Sequence, residues 1–132
     1  MERLFVDTSA WYALVNRAAP EHRDVQRVIR QPAVRLVTSN FIFDETVTLA
    51  LARLGHAAAV QIGSALRATD RLDYIRLTAD DERAAWDLFG QRPDQTFSHT
   101  DCTSFVLMRR LKLRTAVALD DDFRAEGFAL LP

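Results

Sequence analysis

The chain has 132 residues, 48% of them hydrophobic, which suits one domain with a substantial core over residues 1–132. Its formal net charge is −1, so no basic field over the whole molecule indicates nucleic-acid binding. The single cysteine, Cys102, cannot form an internal disulfide, and no segment resembles a signal peptide or a bilayer span. We therefore expect a cytoplasmic protein without a membrane partner.

Short apolar runs alternate with helical patterns, which is typical of a mostly parallel sheet with helices on both faces. In the first half the predicted elements are strand 4–6, helix 9–15, a helix opened by Pro20-Glu21, strand 34–37, a helix from Ser39 through Leu54 and helix 56–68. Val25, Val28 and Ile29 give the second helix an apolar stripe. Ser39 is a favoured N-cap, and Gly55 ends the long helix.

In the second half the predicted elements are strand 74–77, a helix that stops at Gly90, a loop over 91–97, a helix after Ser98, strand 115–119, a helical turn at 122–125 and strand 127–131. Thr78 and Asp81 have the spacing of a capping box, in which side chain and backbone at a helix start bond to each other. Ser98 and Asp101 repeat that spacing. Both pairs therefore predict where a helix begins.

Four acids that are far apart in the sequence are expected at one edge of the sheet. Asp7 and Asp120 each follow a predicted strand, and Glu45 and Asp101 lie early in helices that begin at the same, carboxyl, edge if the crossovers are right-handed. Ligands of open α/β sheets bind at this edge. Like charges brought together raise each other's pKa, and such clusters usually surround a divalent cation.

Each acid also has a purely structural explanation. Asp7 could only cap the following helix, and Asp101 could only complete its capping box. Glu45 could lie on a solvated helix face, and Asp120 and Asp122 could cap the short turn that follows them. A capping carboxylate can still bind metal, so the combination of acids is more specific than any one of them.

Other reactive side chains are interpreted more simply. Ser9, beside Asp7 at the strand tip, is a candidate to orient a ligating carboxylate. Cys102 is expected to be a small buried residue, because neighbouring acids raise the pKa of a thiol and make it a poor nucleophile. Trp11, Trp86 and the eight phenylalanines are interpreted as packing residues rather than base-stacking platforms.

Four segments resemble, in order, the motifs of PIN-domain ribonucleases. They are Phe5–Ala10, Thr38–Thr46, Ser98–Phe105 and Ala118–Phe123, the last followed by Gly127-Phe128. The resemblance spans the whole chain and leaves no room for another domain. The compact size is most similar to the VapC-type toxins of bacterial and archaeal toxin–antitoxin pairs.

The resemblance implies a three-layer α/β/α fold with a five-stranded parallel sheet in the order 3-2-1-4-5. It implies cleavage of RNA that depends on Mg²⁺ or Mn²⁺, a homodimer, and a small antitoxin protein as partner. By position it implies Asp7, Glu45, Asp101 and Asp120 as catalytic metal ligands, with Ser9 and Asp122 near substrate or behind the ligands. His99 stands where relatives often have an apolar residue, so it receives no role.

The residues favour hydrolysis by a metal-activated water, which needs no side-chain nucleophile. One alternative is a catalytically degenerate PIN domain that only binds RNA or protein. Another is phosphoryl transfer through an aspartate, as in receiver-like or haloacid-dehalogenase-like domains. The latter needs a second aspartate where Ser9 stands, and both need a site lysine, whereas Lys112 is expected at the far end of its helix.

Overall fold

A five-stranded parallel sheet in the order β3-β2-β1-β4-β5 forms the centre of the computed structural model, which describes residues 1–132. The strands are β1 (Glu2–Val6), β2 (Val34–Ser39), β3 (Leu72–Ile75), β4 (Thr115–Val117) and β5 (Ala129–Leu131). The helices are α1 (Thr8–Val15), α2 (His22–Ile29), α3 (Asn40–Leu54), α4 (His56–Ala68), α5 (Ala79–Gly90), α6 (His99–Arg110) and α7 (Asp122–Ala125). The predicted fold class and strand order are confirmed.

The helices form two groups, one for each face of the sheet. Helices α1 to α4 contact one another, and α5, α6 and α7 form the second group. Between the second group and the sheet lie packed phenylalanines, in which Phe105 contacts Phe97 and Phe123 at ring-centroid distances of 5.0 Å. Burial of rings this large dominates core stability, so Phe105→Ala is expected to cost about 3–5 kcal/mol.

The helix starts follow the predicted capping chemistry. The Ser39 hydroxyl accepts a hydrogen bond from Ile42 N, and both predicted capping boxes are formed. Gly55 has a φ of 96°, a conformation that glycine adopts without strain, and separates α3 from α4. Helix α2 begins at His22, slightly later than predicted.

The longest helix, α3, has 15 residues, and no helix combines the length and hydropathy of a bilayer-spanning segment.

All five predicted strands differ from the observed ones at one end or at both. Strand β1 begins two residues earlier than predicted, because Glu2 and Arg3 pair with β2. Strand β2 ends two residues later, because Thr38 and Ser39 pair with β3. Strand β3 lies two residues earlier than predicted, because its only partner β2 ends opposite Ile75, and Leu77 N instead donates to Asn40 Oδ1 at 2.8 Å. Strand β4 stops at Val117, since Leu119 N donates to a side chain rather than to a neighbouring strand. Strand β5 begins only at Ala129, after a turn at Gly127 with a φ of 99°.

Candidate active site

Asp7 lies at the end of β1, in the middle of the sheet, and is only 5% exposed. Its Oδ2 accepts hydrogen bonds from Ser9 N at 3.2 Å and from Ser9 Oγ at 2.8 Å. Asp7 therefore caps α1, as its structural explanation predicts. Those bonds leave Oδ1 without a donor from the chain. Asp7 therefore combines a structural role with an oxygen that remains free for a ligand.

Asp101 and Asp120 are held in a similar way by backbone groups. Oδ2 of Asp101 accepts from Ser98 N at 2.9 Å, which completes the capping box of α6 and leaves Oδ1 without a backbone donor. The carboxyl group of Asp122 lies within hydrogen-bonding reach of Asp101. Oδ1 of Asp120 accepts from Asp122 N at 3.1 Å, at the start of α7. The capping explanation is thus correct for Asp101, whereas α7 has Asp121 as its N-cap and no side chain caps it. The backbone bonds use only one oxygen of each acid.

Glu45 lies in the second turn of α3, half-buried beside the start of α6. It lines an open groove of about 690 Å³, together with Phe41 of its own helix and Thr100 of α6. The groove connects α3 with the helix that carries Asp101. Glu45 therefore does not point away on a solvated face, as its structural alternative required.

The electrostatics show that these acids are close enough to affect one another. Burial raises the pKa of Asp7 to about 7; hydrogen bonds from Ser9 lower it in part, and the charges of Asp101 and Asp120 raise it further. Burial also raises the pKa of Asp101, to which Asp120 and Glu45 add. The four predicted site acids are therefore one interacting cluster.

Asp122 belongs to the same cluster. Burial, followed by the charges of Asp120 and Asp101, raises its pKa to about 6. A raised pKa at a carboxyl group means that ionisation is costly unless positive charge is supplied. None of the seven salt bridges in the structure includes an acid of this cluster. The cluster has no cation from the chain itself.

The cluster fits a divalent cation in its chemistry but is not closed around one. No three of its side chains already stand as the ligands of a single ion do. Mg²⁺ takes oxygen ligands, usually one or two carboxylates, and keeps several waters, so a loose set of carboxylates suits it. The fit is supported by the lack of a basic partner and by the oxygens of Asp7 and Asp101 that accept no bond from the backbone or from a hydroxyl. The assignment of ligands stays a prediction.

Ser9 connects the two central strands at the site. Its hydroxyl donates to Asp7 and accepts from Leu119 N at 3.1 Å, so the same oxygen bonds to the tip of β1 and to the segment after β4. Leu119 directly precedes Asp120. Ser9 thereby fixes the orientation of Asp7 and the path of the chain that carries Asp120.

Cys102 is buried and Lys112 lies at the far end of its helix, as expected. Burial, with the charges of Asp101 and Glu126, raises the pKa of the Cys102 thiol to about 11, which disfavours the thiolate. Lys112 follows the C-terminal end of α6 and lies with Arg3 and Arg114 at the amino ends of β1 and β4. This is the edge opposite the acids, so the lysine that aspartyl phosphoryl transfer requires is missing from the site.

The interpretation of Trp86 and Phe89 as packing residues is wrong, although Trp11 is buried as expected. Trp86 is 64% exposed on α5 and belongs to a group of four rings that we call the aromatic patch. The patch consists of Phe41, Trp86, Phe89 and His99. Sequence reasoning missed it because its rings come from three helices. The spacing of Trp86 and Phe89, one helical turn apart, was the only signal.

Comparison with known proteins gives a consistent result. The PIN domain family model matches residues 4–128. The chain is 38% identical over 125 residues to the 23S rRNA-specific endonuclease VapC20 of Mycobacterium tuberculosis, with 95% of each protein covered. The crystal structure of Mycobacterium tuberculosis VapC20, described as a sarcin–ricin loop cleaving toxin, matches with a TM-score of 0.91 at 37% identity, covering 98% of this chain and 99% of that one.

More distant structures share only the fold. VapBC2 from Rickettsia felis, bound to a DNA fragment from its promoter, matches with a TM-score of 0.71 at 11% identity, covering 97% of this chain and 96% of that one. The matched segment of the family model includes Asp7, Glu45, Asp101 and Asp120. The agreement of sequence, strand order and clustered acids leads to one conclusion: the chain belongs to the PIN-domain family, in the VapC-type group of nucleases.

Proposed function

We propose that this chain is an endoribonuclease that hydrolyses RNA with Mg²⁺, or Mn²⁺ in its place, bound by Asp7, Glu45, Asp101 and Asp120. The observation that carries the proposal is the buried Asp7, surrounded by further acids without any basic partner. When bound, the ion would lower the pKa of a water molecule and neutralise charge on the scissile phosphate. Family membership and the VapC20 relative support RNA as the substrate.

The residues of the chain would hold and orient the reacting groups. Ser9 fixes one oxygen of Asp7, and Ser98 N fixes one oxygen of Asp101, so that the other oxygens have defined positions. Such fixed ligands avoid reorganisation when charge develops on the phosphate. We also propose that Asp122, which lies beside Asp120 and Asp101, accepts a proton or a hydrogen bond behind the ligands.

The relatives suggest a more specific biological role. VapC20 acts on 23S rRNA and cleaves the sarcin–ricin loop. By similarity, we propose ribosomal RNA as the substrate class of this chain and a small antitoxin protein as its inhibitor, with a homodimer as the active form. An enzyme of ribosomal RNA would work in the cytoplasm, where the ribosomes are.

A cleavage assay tests the central proposal. The purified chain is incubated with a synthetic sarcin–ricin loop hairpin in Mg²⁺ or Mn²⁺, and the RNA ends are mapped. We expect one or a few cut sites, no cleavage in EDTA and none by Asp101→Asn. Undiminished cleavage in EDTA, or full activity of Asp101→Asn, would contradict the proposal.

A Mn²⁺ titration separates the enzyme from a degenerate domain that only binds RNA or protein. Calorimetry on the purified chain should detect binding that Asp7→Asn weakens strongly, because that carboxylate is central to the cluster. Asp24→Asn serves as the matched control, since Asp24 lies on the exposed face of α2 and pairs with Arg27. Equal, weak binding by all three proteins would favour the degenerate domain.

A further inference from the structure

The aromatic patch is an exposed group of rings next to the acids. Trp86 and Phe89 on α5 stack with a centroid distance of 5.8 Å and an interplanar angle of 17°. His99 on α6 meets them edge-on at 6.0 Å and 6.4 Å. Phe41 on α3 contacts the other side of His99 at 6.3 Å. Three helices thus contribute rings to one surface.

The patch is continuous with the candidate active site. His99 precedes Asp101 by two residues at the start of α6. Phe41 lines the same groove as Glu45 and Thr100. A molecule lying in that groove would touch Glu45 and Phe41. From Phe41 the rings continue through His99 to Trp86 on α5.

The outer rings of the patch differ from the other large aromatic side chains of the protein. Trp86 is 64% exposed and Phe89 41%, whereas Phe97, Phe105 and Phe123 are buried in the core. Exposed neighbouring rings leave a flat apolar face in water, and such faces usually mark binding sites. Because the two rings are nearly parallel, they extend as a stack onto which a further flat ring can be added.

We propose that the aromatic patch stacks an unpaired base of the RNA substrate, close to the bond that is cut. This inference rests on the proposed ribonuclease function and names residues that would position its substrate. A base presents a neutral π face and can stack on aromatic side chains without regard to its sequence. Near Asp44 and Glu45, which line the groove beside Phe41, a neutral ring is a better neighbour than a phosphate.

A second copy of the chain is a less suitable occupant of the patch. Even fully exposed, two aromatic side chains supply at most about 500 Å², whereas a stable interface buries about 800 Å² on each partner. The rest of the exposed face of α5 is charged and includes Asp80, Glu82 and Asp87. The patch has the size of a base rather than that of a protein interface.

Kinetics of hairpin cleavage test the stacking directly. Truncation by Trp86→Ala should lower kcat/KM between about 5-fold and about 100-fold, the range expected for one lost base stack. Trp86→Phe keeps a ring and should retain most of the activity. Leu51→Ala is the matched control, because Leu51 is 51% exposed on α3 but outside the groove, and it should leave kcat/KM unchanged.

A double substitution on enzyme and RNA identifies the stacked base. Each unpaired nucleotide near the mapped cut is replaced in turn by an abasic residue. At one position the wild-type chain should lose about as much kcat/KM as Trp86→Ala loses on intact RNA. Trp86→Ala should lose little more at that same position, because the two changes remove a single contact.

Three outcomes would overturn the inference while leaving the proposed function intact. They are an unchanged kcat/KM for Trp86→Ala, losses that simply multiply at every abasic position, and dissociation of a wild-type dimer by Trp86→Ala in sedimentation. The last would assign the patch to contact between copies. If the wild-type chain cuts no RNA in Mg²⁺ or Mn²⁺, the proposed function and this inference fail together.

Discussion

Asp81 and Asp7 have almost the same local setting but opposite electrostatics. Each lies at the start of a helix, accepts hydrogen bonds from nearby backbone or hydroxyl groups, and is 3% or 5% exposed. Burial raises the pKa of both, but Arg110 bonds to Asp81 with two contacts of 2.8 Å, and these with the Thr78 bonds bring its pKa below the usual value. Asp7 has no such partner, and its pKa stays near 7.

The same contrast holds for Glu126, the other acid buried with basic partners. Arg92 and Arg109 bond to its two oxygens, and its pKa is lowered although burial alone would raise it. Acids that the chain neutralises itself connect elements of the fold: Asp81 joins α5 to α6, and Glu126 joins α6 to the chain before β5. Acids that it leaves without a basic partner are the candidates for binding a cation from solution.

The largest expected effect comes from changing the unpaired acid. Asp7→Asn should lower RNA cleavage by about 1,000-fold or more, because a lost metal ligand removes several kcal/mol of charge stabilisation. The fold should persist, since an amide oxygen can still accept the Ser9 hydrogen bonds. Hairpin cleavage and circular dichroism of the same preparations check both statements. Asp81→Asn should cleave RNA at the wild-type rate. Equal losses of cleavage activity in the two variants would contradict the distinction between the paired and the unpaired acid.

The second prediction concerns pH in metal-free protein. Because the pKa of Asp7 is raised from 3.8 to about 7 on folding, its contribution to stability is fully present below pH 3.8 and is lost as the pH rises through about 7. The loss amounts to roughly 2–4 kcal/mol. Asp7→Asn lacks this loss. The Tm of the variant should therefore rise relative to that of the wild-type chain between pH 4 and 7. Added Mg²⁺ should remove the difference, and parallel pH profiles would contradict the assignment.

The third prediction concerns the paired acid and stability. Asp81→Asn should lower the free energy of unfolding by about 1–3 kcal/mol, because a charged hydrogen-bonded pair between α5 and α6 is lost and Arg110 keeps partial access to water. Denaturant unfolding measures this. Asp80→Asn is the control: its carboxylate is 90% exposed and pairs with Arg83 on the surface, so its stability should not change measurably.

The smallest effect is expected for the hydroxyl that orients Asp7. Ser9→Ala should reduce kcat/KM by about tenfold, as loss of a group behind a metal ligand typically does. It should also weaken Mn²⁺ affinity, because Asp7 is no longer fixed. Ser64→Ala, on the exposed face of α4, is the control and should change neither quantity. A loss of stability without any change in metal affinity would mean that Ser9 only joins the two strands.

Local chemistry made much of the fold predictable. The capping boxes before α5 and α6 and the stop at Gly55 depend on residues a few positions apart, and these features are correct. The wrong strand ends depend on distant partners. Nothing in residues 72–77 shows that β2 ends opposite Ile75, or that Leu77 will bond to Asn40, 37 residues earlier.

The same distinction between nearby and distant partners applies to the site. The acids could be placed at one edge because strand and helix directions determine that edge. Whether an acid has a basic partner could not be read from the sequence, since Arg110 lies 29 residues from Asp81 and Arg92 lies 34 residues from Glu126. The exposure of Trp86 was equally hidden, because it depends on what α6 and α3 place beside α5.

The bond between Leu119 N and Ser9 Oγ spans 110 positions of the chain. Strand β1 is made first, yet it is completed on one side only when β4, the fourth strand made, pairs with it. A growing chain thus carries Asp7 and Glu45 long before it can bring Asp120 to them. We expect nascent chains to be inert until almost their full length has emerged. For the ribonuclease proposed above, such late assembly would delay activity until synthesis is nearly complete.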